Sequence, residues 1–101
     1  MNTVYIAGKI SGDPDYKKKF NTAQKNLERQ GFVVMNPAWM PSEGFSYGAY
    51  IRIDKAMLKE CDTLCLLPDW EESAGAREER KLAESLNKEI AYYVDMLFKT
   101  P

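Results

Sequence analysis

The chain has 101 residues, 45% hydrophobic and 29% charged, which is the size and composition of one soluble domain whose core needs no metal or disulfide staple. Lys+Arg 14 against Asp+Glu 15 gives a net charge of −1, excluding the basic footprint of a duplex nucleic-acid binder but not a local pocket for a small anion. Histidine is absent, which removes Ser-His-Asp, Cys-His and His-metal sites together and leaves carboxylates, tyrosine, serine and backbone amides as the available chemistry.

The N-terminal residues lack the basic start, apolar run and cleavage site of a secretory leader, and no run approaches transmembrane length. The expectation is a cytoplasmic protein with no membrane partner. Cys61 and Cys65 fit no CxxC or zinc spacing and read as reduced, small core residues.

Val4–Ala7 is a short apolar run ending at Gly8, as a buried strand would be. Gly8-Lys9-Ile10-Ser11-Gly12 follows, either a plain strand-to-helix turn or a loop that aims backbone N–H groups at an anion. It matches neither the dinucleotide fingerprint nor a P-loop. Asp13-Pro14-Asp15 starts a helix whose stripe of Tyr16, Phe20, Ala23 and Leu27 is purely apolar. Lys17-Lys18-Lys19 reads as its solvated face. Gly31 ends the helix, and Phe32–Met35 forms a second strand stopped by Asn36-Pro37. The loop from Ala38 to Ser46 carries Trp39, Met40 and Phe45, either folded over the core or walling a pocket.

A second helix spans about Tyr47 to Glu60, with Tyr50, Ile51, Ile53, Met57, Leu58 and Cys61 on its apolar arc. Asp54 falls inside that arc. Asp62–Leu67 is a third strand, a near-continuous apolar run of the kind found in parallel sheets. Pro68–Ser73 is the loop beyond it, with Ser73 placed as an N-cap. In the helix that follows, Gly75, Ala76, Leu82, Ala83, Leu86 and Ile90 share one arc at about 100° per residue. Glu79 projects to the middle of it. A charge there is costly unless it is paired, hydrogen-bonded or at the edge of a cavity. Glu89–Val94 is a fourth strand, and the tail from Asp95 to Pro101 has a helical segment at Met96–Phe98.

The order βαβαβαβ, with right-handed crossovers, builds a parallel sheet with helices on both faces. Ligands of such sheets sit beyond the C-terminal strand ends. That rule gathers the Gly8–Gly12 loop, the Trp39 loop and the Trp70–Ser73 loop at one rim, with Glu79 about one and a half turns into its helix.

Tyr5-Ile6-Ala7-Gly8-Lys9-Ile10-Ser11-Gly12, Asn36-Pro37, Asp54 with Cys61-Asp62, and Ser73-x-Gly75-Ala76-x-x-Glu79-x-x-x-Ala83 resemble the nucleoside 2-deoxyribosyltransferase superfamily, in particular its small DUF4406-type branch. The resemblance runs from the first strand to the fourth. It implies an α/β, flavodoxin/Rossmann-like three-layer sandwich with a four- to five-stranded, mainly parallel sheet, the whole of 1–101 being one such domain. By resemblance, Glu79 is the nucleophile that forms a glycosyl-enzyme ester, Asp54 the proton donor to the departing base, and Tyr5 the hydroxyl that orients the glutamate. Ser73 stands where free-nucleoside transferases carry an aspartate for the sugar 5′-hydroxyl, and a serine at a helix N-terminus suits a 5′-phosphate better.

The expectation is therefore an N-glycosidic hydrolase or base-exchanging transferase acting on a (deoxy)nucleoside 5′-monophosphate. Its substrate would meet Gly8, Ile10, Ser11, Gly12, Trp39, Trp70, Ser73, Gly75 and Ala76. No metal or other cofactor is implied, and the family's use of a neighbouring subunit implies a homo-oligomer. Two other readings stand beside it. One is a non-catalytic nucleotide-binding module. The other is a structural or host-interaction protein whose Asp54 and Glu79 are paired with Lys9, Arg52 or Arg77.

Overall fold

A computed structural model describes residues 2–97. The elements run β1 (Thr3–Ala7), α1 (Tyr16–Arg29), β2 (Val33–Met35), α2 (Tyr47–Lys59), β3 (Thr63–Leu66), α3 (Ala74–Ser85), β4 (Glu89–Tyr92) and α4 (Tyr93–Met96). Short 3₁₀ turns at Pro37–Trp39 and Trp70–Glu72 precede α2 and α3. The sheet has four strands in the order β2-β1-β3-β4, every pair parallel. This is the flavodoxin-like order, and the reversal of winding falls between β1 and β3.

Side-chain alternation along β1 explains the layering. Val4 and Ile6 point to one face and join Phe20, Ala23 and Leu27 of α1, with Cys65, Leu67, Ala91 and Met96. Tyr5 and Ala7 point to the other and meet Met57 and Leu58 of α2, Ala76 and Ala83 of α3, and Leu64 and Leu66. The sheet is thus covered on both sides, and β1 and β3 are buried along their central residues, which is why they read as unbroken apolar runs. Among the described residues, no helix is long and apolar enough to cross a membrane. Cys61 and Cys65 are free and buried, in the clusters on opposite faces of the sheet.

Three local expectations are corrected. The fourth strand stops at Tyr92, and the chain turns into α4 at Tyr93. Tyr93 and Met96, one helical turn apart, pack onto the α1 cluster, and the Tyr93 hydroxyl accepts from Asn26 Nδ2 at 2.8 Å. Phe98, the end of the expected tail helix, lies outside the described residues. Ile53 is exposed rather than on the buried arc of α2. Lys19 is no solvated lysine: its ammonium donates to Asp13 Oδ2 at 2.6 Å, Asp69 Oδ2 at 2.5 Å and the Lys9 carbonyl at 2.8 Å. It ties the loop after β1 to the loop after β3.

Candidate active site

At the C-terminal edge of the sheet, where the connections that follow the paired strands β1 and β3 run to opposite faces, a cavity of about 530 Å³ opens. That volume falls in the range that encloses small-molecule ligands. Its walls come from the loop after β1 (Gly8, Lys9, Ile10, Ser11), the loop before α2 (Pro37, Met40, Phe45), the inner face of α2 (Tyr47, Tyr50, Ile51, Asp54) and the start of α3 (Ser73, Gly75, Ala76, Glu79).

Each wall is fixed by local chemistry. Gly8 is required by proximity, because a Cβ there would lie 2.9 Å from Leu67 Cβ and 3.1 Å from Asp69 Oδ1. Asp69 Oδ1 then accepts from the Lys9 N–H at 3.0 Å. Asn36, buried, donates to Asn21 Oδ1 and Gln24 Oε1 and accepts from the Ala38 N–H. This satisfied network fastens the Pro37 turn to α1. The next stretch of that loop is held to α2 by the Tyr50 hydroxyl, which donates to the Pro41 carbonyl at 2.8 Å, and by the edge-on packing of Phe45 against Tyr50 at 5.9 Å. Ser73 caps α3 by accepting from the Ala76 N–H at 3.1 Å, worth about 1 kcal/mol. A Cβ on Gly75 would stand 3.2 Å from Ile51 Cδ1, so the small residue lets α2 and α3 close on each other at the site.

Deepest in the cavity lie Asp54 and Glu79, 7% and 4% exposed. Neither forms an ion pair among the described residues: Lys9 is bonded to Glu72 and Lys55 to Glu78. Burial pushes the Asp54 carboxyl up to about 7, and its Oδ1 has no hydrogen-bond partner. Glu79 is pushed up to about 8, chiefly by burial and further by the Asp54 charge, against the hydrogen bond from Tyr5, which favours the anion. Tyr5 lies wholly buried under the pair and donates its hydroxyl to Glu79 Oε2. Its own pKa is raised well above 10 by burial and by the Glu79 and Asp54 charges, so it stays a donor at any physiological pH.

Most of the site residues expected from the sequence are brought together. Gly8, Ile10, Ser11, Asp54, Ser73, Gly75, Ala76 and Glu79 line the one cavity, and Tyr5 sits beneath it. Gly12, Trp39 and Trp70 do not line it. Gly12 serves the turn instead, at φ +81°. Trp39 is 66% exposed, with Nε1 3.5 Å from Met57 Sδ. Trp70 packs onto the α2–α3 cluster with the Arg80 guanidinium 4.9 Å over its ring.

The aromatic wall is instead Phe45, Tyr47 and Tyr50. Phe45 belongs to the loop that the sequence left open as a pocket wall. Tyr47 and Tyr50 were missed, although Tyr47, Tyr50, Ile51 and Asp54 follow the i, i+3, i+4, i+7 spacing of one helix face. Among the described residues, no group of three Cys, Asp or Glu side chains is placed to hold a metal ion.

Residues 2–92 match the family described as "Domain of unknown function (DUF4406)". No curated protein matches the chain. Among solved structures, a 2-desoxiribosyltransferase from Leishmania mexicana superposes with a TM-score of 0.72 at 20% identity, covering 91% of this chain. The chain spans 63% of that protein's length, and the likeness is one of fold. With nine-tenths of its length inside the family match, the chain belongs to the DUF4406 family.

Proposed function

We propose that the protein cleaves or exchanges the N-glycosidic bond of a (deoxy)nucleoside 5′-monophosphate, with Glu79 as nucleophile and Asp54 as acid. The observation that carries this reading is the pair of buried carboxyl groups, in no ion pair among the described residues, on the wall of one ligand-sized cavity. Burial of such a pair costs the fold stability, whereas displacement at an anomeric carbon uses both groups.

In the proposed reaction a Glu79 carboxylate oxygen attacks C1′ and the C1′–N bond breaks. The electron pair goes to the base nitrogen, and the Asp54 carboxyl supplies its proton. Water, or the nitrogen of a second base, then attacks C1′ and cleaves the ester. The incoming group's proton goes to Asp54, and Glu79 returns as carboxylate. Asp54, pushed up to about 7, holds a proton near neutrality more readily than a surface aspartate. Glu79, pushed up to about 8, must lose its own proton before it attacks, so the reactive form is the one with the pair's remaining proton on Asp54. The hydroxyl of Tyr5 supports the Glu79 anion.

The 5′-phosphate is assigned to the end of the cavity formed by Lys9, Ser11 and Ser73, where the N-terminus of α3 favours negative charge. The base is assigned to the apolar end at Met40, Phe45 and Tyr50. The reading includes a cytoplasmic, self-associating protein that works without a cofactor.

Incubation with a panel of nucleosides and 5′-monophosphates, with free base resolved by chromatography, tests the proposal. The expected result is base release from a monophosphate by wild type and a loss of at least about 100-fold in Glu79→Gln. Tight nucleotide binding with no release by wild type would replace the enzyme with a binding module.

A further inference from the structure

The phosphate end of the cavity contains a negative charge of the protein's own. Glu72, on the 3₁₀ turn before α3, places Oε1 3.6 Å from Lys9 Nζ, and the two side chains are 65% and 33% exposed. Both line the cavity, so the pair spans its mouth from the loop after β1 to the loop after β3.

The two backbones are held. Lys9 gives its N–H to Asp69 and its carbonyl to Lys19, and the Glu72 N–H donates to the Asp69 carbonyl at 3.0 Å. Partner exchange at Lys9 therefore needs only side-chain rotation. A solvated pair of this kind is weakly bound. A phosphate monoester, carrying about −1.5 to −2 at neutral pH, is the stronger partner for the ammonium. Further inside the same cavity, the unpartnered Asp54 Oδ1 is an independent mark of a ligand-binding space.

We propose that Glu72 sets the specificity of this site by occupying Lys9 in the free protein and competing with the ligand's 5′-phosphate for it. The inference rests on the nucleotide reading given above. A monophosphate gains the Lys9 contact but must expel Glu72 and then tolerate its carboxylate nearby. A neutral nucleoside gains and loses nothing there. Glu72 thereby narrows the preference for phosphorylated ligands that Lys9 and the start of α3 create.

The test is calorimetric titration of wild type, Glu72→Gln and Lys9→Met with the deoxynucleoside 5′-monophosphates of the common bases and with the matching deoxynucleosides. At low ionic strength Glu72→Gln is expected to tighten the preferred monophosphate by roughly three- to tenfold and leave its nucleoside within about twofold. Lys9→Met is expected to weaken the monophosphate by about tenfold with the nucleoside again unchanged. An unchanged monophosphate-to-nucleoside ratio in Glu72→Gln, or equal tightening of both, overturns the inference while leaving the nucleotide reading standing. Failure of wild type and Glu72→Gln alike to bind any monophosphate overturns both.

Discussion

The two faces of the sheet are built from the same alternating strands and end in different chemistry. Under α1, Val4, Ile6, Phe20, Ala23 and Leu27 form a hydrocarbon core with no carboxylate in the helix stripe. Under α2 and α3 the equivalent layer holds Asp54 and Glu79 among its buried residues, with the Tyr5 hydroxyl against the latter. The α1 face is what hydrophobic burial alone selects. The other face keeps charges that burial penalises, and it is the face that opens into the cavity. Under the proposed function the contrast separates residues that hold the fold from residues that the fold holds for a ligand.

Proton linkage should separate the faces most strongly. Asp54 and Glu79 have folded-state values of about 7 and about 8, above the ordinary 3.8 and 4.5 of the two groups. Between those limits the folded chain binds more protons than the unfolded one. Their contribution to stability is therefore complete at pH values below the ordinary range and falls as pH rises, levelling off above about 8. Each group lowers stability by up to about 1.4 kcal/mol per pH unit in that window. Urea unfolding of wild type from pH 5 to 8 should show the decline, and Asp54→Asn/Glu79→Gln should be flatter over the same range. Parallel profiles would mean that the carboxyl groups titrate as they do in the unfolded chain.

Truncation in the hydrocarbon layer comes next. Phe20 is wholly buried, and Phe20→Ala should cost about 3–5 kcal/mol in denaturant unfolding, with its pH profile parallel to wild type. The smallest effect belongs to Trp39→Ala. With the ring largely in solvent and outside the cavity, it should change stability by no more than about 0.5 kcal/mol and leave nucleotide affinity unchanged. A marked loss of affinity would bring Trp39 back to the site.

The carboxylates were legible in the sequence because helical periodicity is a local signal: Asp54 and Glu79 each break an apolar arc that can be counted along the chain. The alternation of strands and helices along the chain was legible for the same reason, whereas the order of the strands in the sheet comes from the fold. What was not legible depends on contacts distant in sequence. Lys19 reads as one of three consecutive lysines until the fold brings Asp69, 50 positions away, within 2.5 Å. Trp70 and Trp39 lie in rim loops whose composition suits a pocket wall as well as a core cover. Their positions follow from packing on Arg80 and Met57. The Tyr47–Tyr50–Ile51 wall was available by spacing, but Tyr50 and Ile51 read as ordinary core and Tyr47 only as the helix start, because the loop residues Pro41, Ser42 and Phe45 that line the cavity with them are placed by the fold. The end of β4 was obscured because Tyr93 and Val94 suit a strand by composition, while Tyr93 and Met96 turn inward together at helical spacing.

The most direct test of the division between the faces is a paired measurement on Glu79→Gln, reading urea unfolding and base release from the same preparation near pH 8. The glutamine can still accept from Tyr5, and it removes a carboxyl group that burial opposes in its charged form. The account predicts stability equal to or above wild type together with the loss of base release from the preferred monophosphate. Base release at the wild-type rate, or destabilisation by more than about 2 kcal/mol, would contradict it, because Glu79 would then be dispensable for the chemistry or required by the fold.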